Sequence, residues 1–339
     1  MTAQQDFLPY AVGSSANVLS QNDYAALTSL LLNGLQSGIV PSNELNKILR
    51  QPSIMASVLG QFIVQTTGQP AIDDGTTATL LANFTTGVRS LFSGIVGQAR
   101  NLAMNVSVAS ATATLTADEV IVESALGGLR YCIPNVNLSI NLATTGIGGM
   151  DTGSAPTSGY VGIYLGYNPT TGVAGLFAQN ATSARVGDVY GGANRPAGYT
   201  ATTLVSVWPT DSTGKLKVGT QFDRKVSFPT IVILSSSAIV TNSVLALSLA
   251  APINARRVSG NLSASAASSS TQNVNLRIAA DTNNTGGKEI LYAVTSSSGF
   301  GQGSPFEDLP VITTQTAYYT SLSNAGSSLF SVSINSYVF

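Results

Sequence analysis

The chain contains no histidine, so its sixteen acidic side chains are the groups left for acid–base work. Ser-His-Asp and Cys-His catalysis, imidazole zinc sites and histidine pH switching are all excluded. Two sets of carboxylates are close enough in sequence to consider: Asp118, Glu119 and Glu123, and then Glu289, Glu307 and Asp308. A glycosidase would need two of them held about 5–10 Å apart. Sixteen acids in 339 residues produce apparent pairs by chance, so no catalytic residue is expected. Asp281-x-Asn283-x-Thr285-Gly286 imitates the start of a calcium loop, but Tyr292 stands where the bidentate Glu belongs, and a hairpin turn is the expectation. Gly299-Phe300-Gly301-Gln302-Gly303 lacks the strand-to-helix setting of a phosphate cradle. The single cysteine, Cys132, lies in an apolar run and reads as a small buried hydrophobe. No cofactor and no metal are expected.

Binding chemistry is better supplied. Aromatic faces and planar hydrogen-bonding groups grip glycans, and Tyr and Arg anchor protein partners. The candidates are Tyr292, Phe300, Phe306, Tyr318 and Tyr319, with Arg256 and Arg257. Burial in a β core or a subunit interface is the alternative for each aromatic. Tyr318 and Tyr319 are adjacent, so on a strand they point to opposite faces and one can be exposed.

The elements that must position these residues change character along the chain. Ser20 with Asp23 resembles a capping box opening a helix from Tyr24 to about Leu35, closed by Gly38 and Pro41. Ser42 caps a second start, and Ser53, after Pro52, a third. In that third helix Ile54, Met55, Val58, Leu59, Phe62 and Ile63 share one face. Residues 1–75 therefore form a small helical head. Leu81, Phe84, Val88, Leu91 and Ile95 then follow at steps of three and four, the seam of a coiled coil. A short helical neck over 76–103, bundled as a trimer, is the expectation, with an amphipathic helix on its own domain's core as the alternative.

From Met104 the period becomes two. Short Val-, Ile-, Tyr- and Thr-rich runs alternate with Gly, Pro, Asn and Ser clusters, which predicts antiparallel β-sandwich structure. Asn168–Gly172 and Asp211–Gly214 are expected turns. Strands are expected at 231–234, 244–249, 274–278, 289–294, 311–314, 318–322 and 329–338. Ser235–Ser237 and Ser263–Ser270 look like loops or spacers. The predicted fold is mainly β with a helical N-terminal head, a neck, and two antiparallel sandwiches at 104–229 and 230–339.

Charged residues make up only 9 % of the chain and the net charge is −1, against about 25 % charged in typical soluble domains. A chain so poor in charge is expected to hide surface against other copies. With no basic cluster larger than Arg256-Arg257, nucleic acid and anionic membranes are not expected partners. The apolar runs are shorter than the about 18 residues of a membrane span, and the N-terminus has no basic signal-peptide region.

Phe7-Leu8-Pro9 through Ala16-Asn17-Val18-Leu19-Ser20, Leu45-Asn46-Lys47, Met55-Ala56 and Gln61-Phe62-Ile63 together resemble the N-terminal segment of tailed-bacteriophage tail proteins. So do Asp73-Asp74-Gly75 and Leu80-Leu81-Ala82-Asn83. Gly148-Gly149-Met150-Asp151-Thr152-Gly153-Ser154-Ala155-Pro156, with Val189-Tyr190-Gly191-Gly192-Ala193-Asn194 and Trp208, resembles a module of phage and prophage tail fibres. The resemblance covers roughly residues 7–228. It implies a homotrimeric, non-enzymatic virion component located in the tail. Its N-terminal head would join a tail or baseplate protein, and residues 230–339 would meet a host glycan or protein such as lipopolysaccharide, a pilus or an outer-membrane protein. The alternatives are a glycan-cleaving tailspike and a purely structural tail or baseplate protein.

Overall fold

The computed structural model describes residues 3–91, 94–295, 298–325 and 327–339, with backbone alone for 89–91. It divides into two compact units, residues 1–93 and 94–339. The chain is mainly β, with antiparallel sheets and a small helical N-terminal unit, as the periodicities predict. Among the described residues no helix is long and apolar enough to cross a membrane.

In the helical unit, α1 (Gln21–Ala26) has the predicted cap: the Asp23 N–H donates to Ser20 Oγ at 3.1 Å, and Ser20 Oγ donates to the Asp23 carboxylate at 2.6 Å. Leu27 breaks the run, so the expected single helix becomes α1 and α2 (Thr28–Asn33), closed at Gly34. The two starts expected at Ser42 and Ser53 are one helix, α3 (Ser42–Thr67), which runs through Pro52. Proline removes one backbone donor and crowds the preceding turn; here Ser53 Oγ bonds the Arg50 carbonyl at 2.8 Å within that same turn. Helix α4 (Ala78–Leu91) packs on α3 through the Phe62 and Phe84 rings, 5.7 Å apart. Gly87 lets the two approach closely, because a Cβ there would run into Thr66 and Phe62.

Burial in α3 is offset from the face predicted by hydrophobicity. Ser57, Gly60, Ile63 and Thr67 are buried, while Ile54, Met55, Val58 and Leu59 are exposed. A second correction concerns the neck. The described part of α4 runs to Leu91, residues 94 and 95 are non-helical and strand structure begins at Ala99, so Ile95, 76 % exposed, does not continue the seam. Phe84 is partly engaged by Phe62, Leu81 is 65 % exposed, Val88 is half-buried, and the Leu91 side chain lies outside the described residues.

The β unit begins with β1 (Ala99–Arg100), β2 (Ala103–Val106), β3 (Thr112–Glu123) and β4 (Arg130–Asn141). Next come β5 (Tyr160–Asn168), β6 (Val173–Asn180), β7 (Ala201–Pro209), β8 (Gly219–Phe222) and β9 (Lys225–Ser236). The remainder are β10 (Val240–Ala246), β11 (Arg257–Ala267), β12 (Gln272–Ala279), β13 (Lys288–Val294), β14 (Phe300–Pro310), β15 (Thr316–Ser323) and β16 (Ser327–Val338). A twelve-stranded sheet has the order β14-β11-β16-β9-β8-β2-β3-β7-β5-β6, with β1 and β4 also paired to β3. A four-stranded sheet has the order β10-β15-β12-β13.

The expected division at 229/230 does not occur. Strand β9 crosses it, and the large sheet carries strands from both sides. One hydrophobic cluster runs from Leu102 to Phe339 and includes the fully buried Trp208, Tyr164, Phe330 and Tyr337. The Tyr337 hydroxyl donates to the Val207 carbonyl at 2.6 Å, tying the last strand to β7. Two strands depart from expectation for compositional reasons. The Ser- and Ala-rich segment is the interior strand β11, with Leu262, Ala264 and Ala266 buried and Asn261, Ser263 and Ser265 outward. Strand β14, with Gly301, Gly303, Pro305 and Pro310, is an edge strand, where missing donors are tolerated. The strand expected at 311–314 is a connection.

Residues 148–156 and 189–194 pack on one another. Tyr190 donates to Asp151 at 2.7 Å, and its ring meets Tyr164 and Phe177 at 5.3 and 5.0 Å. The turn at Asn168 forms as expected, its side-chain oxygen accepting from Thr170 N–H at 3.0 Å. So does Asp211, which accepts from Thr213 N–H at 2.7 Å.

Candidate binding surface

The four-stranded sheet positions Tyr292, Tyr318 and Tyr319 by alternation. Val274, Leu276, Ile278, Ile290, Ala317 and Tyr319 point into the core, so residues of opposite parity form the outer face. Tyr319 is therefore a core residue, and Tyr318 stands half-buried on the outer face, in register with Val244 and Ala279. The adjacent-tyrosine expectation of one ring in and one out describes the pair.

Next to Tyr318 on this face lies a polar network that inspection of aromatics and of Arg256-Arg257 missed. Arg277 pairs in register with Thr320 on one side and Glu289 on the other. Its Nη2 donates to Asn242 Oδ1 and Thr320 Oγ1, both at 3.4 Å. Asn242 has a left-handed backbone, φ 51°, at a slip in the β10–β15 register, and this aims its amide at Thr320 and at the Thr282 carbonyl, 3.1 Å away. Leu322 and Leu291 flank Asn275 in the next row and are both exposed. The face thus combines a held guanidinium, amides, a phenol and two apolar side chains. Period-two alternation through Val274–Ala279 was the signal that put Asn275 and Arg277 outward.

Tyr292 and Phe300 are brought together, with rings 5.5 Å apart in an edge-on arrangement. The Tyr292 hydroxyl donates to the Ala264 carbonyl at 3.0 Å, and burial pushes its pKa above the ordinary phenol value. Phe300 is 53 % exposed. Phe306 is in the core. Arg256 and Arg257 are exposed, and Arg257 meets Asp308 at 3.6 Å. Register puts Arg257 opposite Pro310 and Ala266 opposite Phe300, so the arginine pair and the Tyr292–Phe300 pair sit at opposite ends of β11, about 30 Å apart at strand rise. They do not form one site.

Asp118, Glu123 and Asp281 are engaged in local structure. Glu123 is buried, bonded to Arg130 at 2.7 Å and to the Gly127 N–H at 3.1 Å. Asp118 accepts from Asn101 at 2.6 Å. Asp281 closes its hairpin as predicted, accepting from Thr285 and Asn283 N–H at 3.0 and 2.9 Å. The Thr285 bonds lead in holding its pKa below the usual carboxylate value. Among the described residues no group of three or more Asp, Glu or Cys is placed to hold a metal ion. Cys132 corrects the burial expectation: it is exposed, and partial desolvation, reinforced by Glu119, lifts its thiol pKa to about 11.

No protein-family model matches the chain, and no curated relative matches it either. Among solved structures, a chain of the T13 particle of infectious bursal disease virus aligns at TM-score 0.20 and 9 % identity, over 73 % of this chain and 67 % of that one. A Bacillus thuringiensis Cry1Da tryptic core variant aligns at TM-score 0.17 and 10 % identity, over 75 % and 54 %. An exo-β-1,3-galactanase of Phanerochaete chrysosporium aligns at TM-score 0.17 and 13 % identity, over 67 % and 55 %. Similarities at this level carry no functional argument.

Proposed function

We propose that the chain is a subunit of a bacteriophage tail fibre or receptor-binding protein that attaches the virion to the host cell surface. In this reading the helical unit joins copies of the chain, as a homotrimer, and anchors them to the tail or baseplate. The β unit presents the outer face around Arg277 and Tyr318 to a host glycan or protein. The observation that carries the reading is the contrast in burial between the units. In the helical unit Ile63 and Ala71 are the buried apolar side chains among the described residues, whereas Leu32, Ile39, Met55, Val58, Leu59 and Leu81 are exposed. An apolar groove of about 310 Å³ between α3 and α4, lined by Phe7, Leu59, Leu81 and Phe84, adds to that surface. Patches of this kind mark interaction sites. The β unit, by contrast, has a continuous core of its own. The resemblance of residues 7–228 to tail proteins gives that asymmetry its context.

Three weak sites acting together gain about 10²–10⁴ in avidity without new contacts. The test is competition: purified wild-type protein slows adsorption of virions carrying this chain. The double variant Arg277→Ala, Tyr318→Ala is expected to compete at least tenfold less well. Equal competition by the variant would exclude this face as the host reader.

A further inference from the structure

A second polar surface lies across the twelve-stranded sheet. Pairing slips at one level on neighbouring strands: at Val258–Gly260 of β11 against β14, at Ser259–Gly260 against β16, and at Ile334–Ser336 of β16 against β9. Bulges that coincide across strands bend each of them at the same place. Gly260 permits this, since a Cβ there would overlap the Ser333 carbonyl. The result is an open groove of about 290 Å³ spanning β9, β16, β11 and β14.

Ser227, Ser336 and Ser259 stand side by side along its floor by register. The neighbouring row, Val226, Tyr337 and Val258, is core, so alternation turns the serines to the face away from it. Lys225, Glu307 and Asn335 are exposed around the groove. Among the described residues no ion pair engages Lys225 or Glu307, and Asn335 makes a single long side-chain bond, from Ser336 at 3.4 Å. Phe228 follows Ser227 at the groove, and its ring packs toward the core against Tyr337, 5.7 Å away.

These side chains narrow the ligand chemistry. An ammonium only donates, a carboxylate only accepts, and amides and hydroxyls do both. An anion at the groove would meet Glu307, and a cation would meet Lys225. A neutral polyhydroxyl compound can use every group. The volume lies at the lower end of the about 300–1,000 Å³ of small-molecule sites, which suits a short stretch of a longer chain. We propose that this groove is a subsite for neutral glycan, distinct from the Arg277 face. Its biological sense rests on the host-attachment reading.

The full chain is applied to an array of neutral and acidic bacterial surface glycans, with Lys225→Ala and Asn335→Ala beside it and Arg185→Ala, at an exposed position outside both surfaces, as control. Melting monitored at Trp208 checks that each variant is folded. The expected result is binding to at least one neutral glycan, weakened tenfold or more by Lys225→Ala and Asn335→Ala and unchanged by Arg185→Ala. Binding confined to acidic glycans, no glycan binding, or equal binding by folded Lys225→Ala and Asn335→Ala would overturn the proposal. If neutral glycan binds as expected while the protein fails to slow virion adsorption, the groove stands and the attachment reading falls.

Discussion

Replacing Phe330 by alanine tests whether residues 94–339 behave as one cooperative body or as two sandwiches. Phe330 is fully buried on β16, in register with Ala264 of β11 and Ser236 of β9, well inside what was expected to be a separate distal domain. Removing a buried phenyl ring costs about 3–5 kcal/mol, the spread reflecting how far the site collapses. For a unit of this size that corresponds to a melting-temperature drop on the order of 6–20 °C. The chain's single tryptophan, Trp208, reports from the other half. It is fully buried on β7, its indole N–H donating to the Lys217 carbonyl at 3.0 Å. The assay is urea and thermal unfolding followed by Trp208 fluorescence. Because the large sheet and the core cluster are continuous, the Trp208 transition is expected to move by the full amount. A Trp208 midpoint unmoved to within about 0.5 kcal/mol, with a separate earlier transition in far-ultraviolet dichroism, would refute the single-body argument.

Tyr337→Phe leaves the Val207 carbonyl without its side-chain donor and is expected to destabilise the β unit by about 1–3 kcal/mol, read by the same fluorescence. Stability is expected to fall at both pH extremes, as measured by urea midpoints. Asp74, Asp211 and Asp281 have folded pKa values below the unfolded one, so their stabilisation is present above about pH 4 and lost as pH falls. Tyr337 has a folded value above the unfolded one, so its contribution is complete below about pH 10 and lost as pH rises. Native Cys132 is expected to alkylate as one thiol per chain, at a rate still climbing toward a pKa of about 11 rather than levelling near the free-cysteine value. Leu59→Asp with Leu81→Asp, at positions outside the chain's own core, is expected to leave the Trp208 melt unchanged and to abolish assembly in native mass measurements.

Period-two patterning was enough to read the β character and to put Tyr318 and Tyr319 on opposite faces without saying which is inward, and turn chemistry located the turns at Asn168, Asp211 and Asp281. Capping chemistry located Ser20. Three things were hidden, each for a physical reason. Strand β11 alternates Ala with Ser, which carries little hydrophobic contrast, so its interior place was set by the strands on either side. Pro52 marks a helix boundary by local rules, yet α3 continues through it. Continuity across β9 depends on pairing between Lys225–Ser236 and the distant β16, and no local pattern encodes that partner. The Arg277 network and the transverse groove were missed for the same reason, since each is assembled from residues that only sheet register brings together.

The bare apolar side chains of the helical unit lead to one direct measurement: the native mass of the intact chain at micromolar concentration. Covering Leu32, Ile39, Met55, Val58 and Leu81 with other copies predicts a particle of about three times 34.7 kDa. A particle of a single 34.7 kDa chain, with those side chains left in water, would contradict the account.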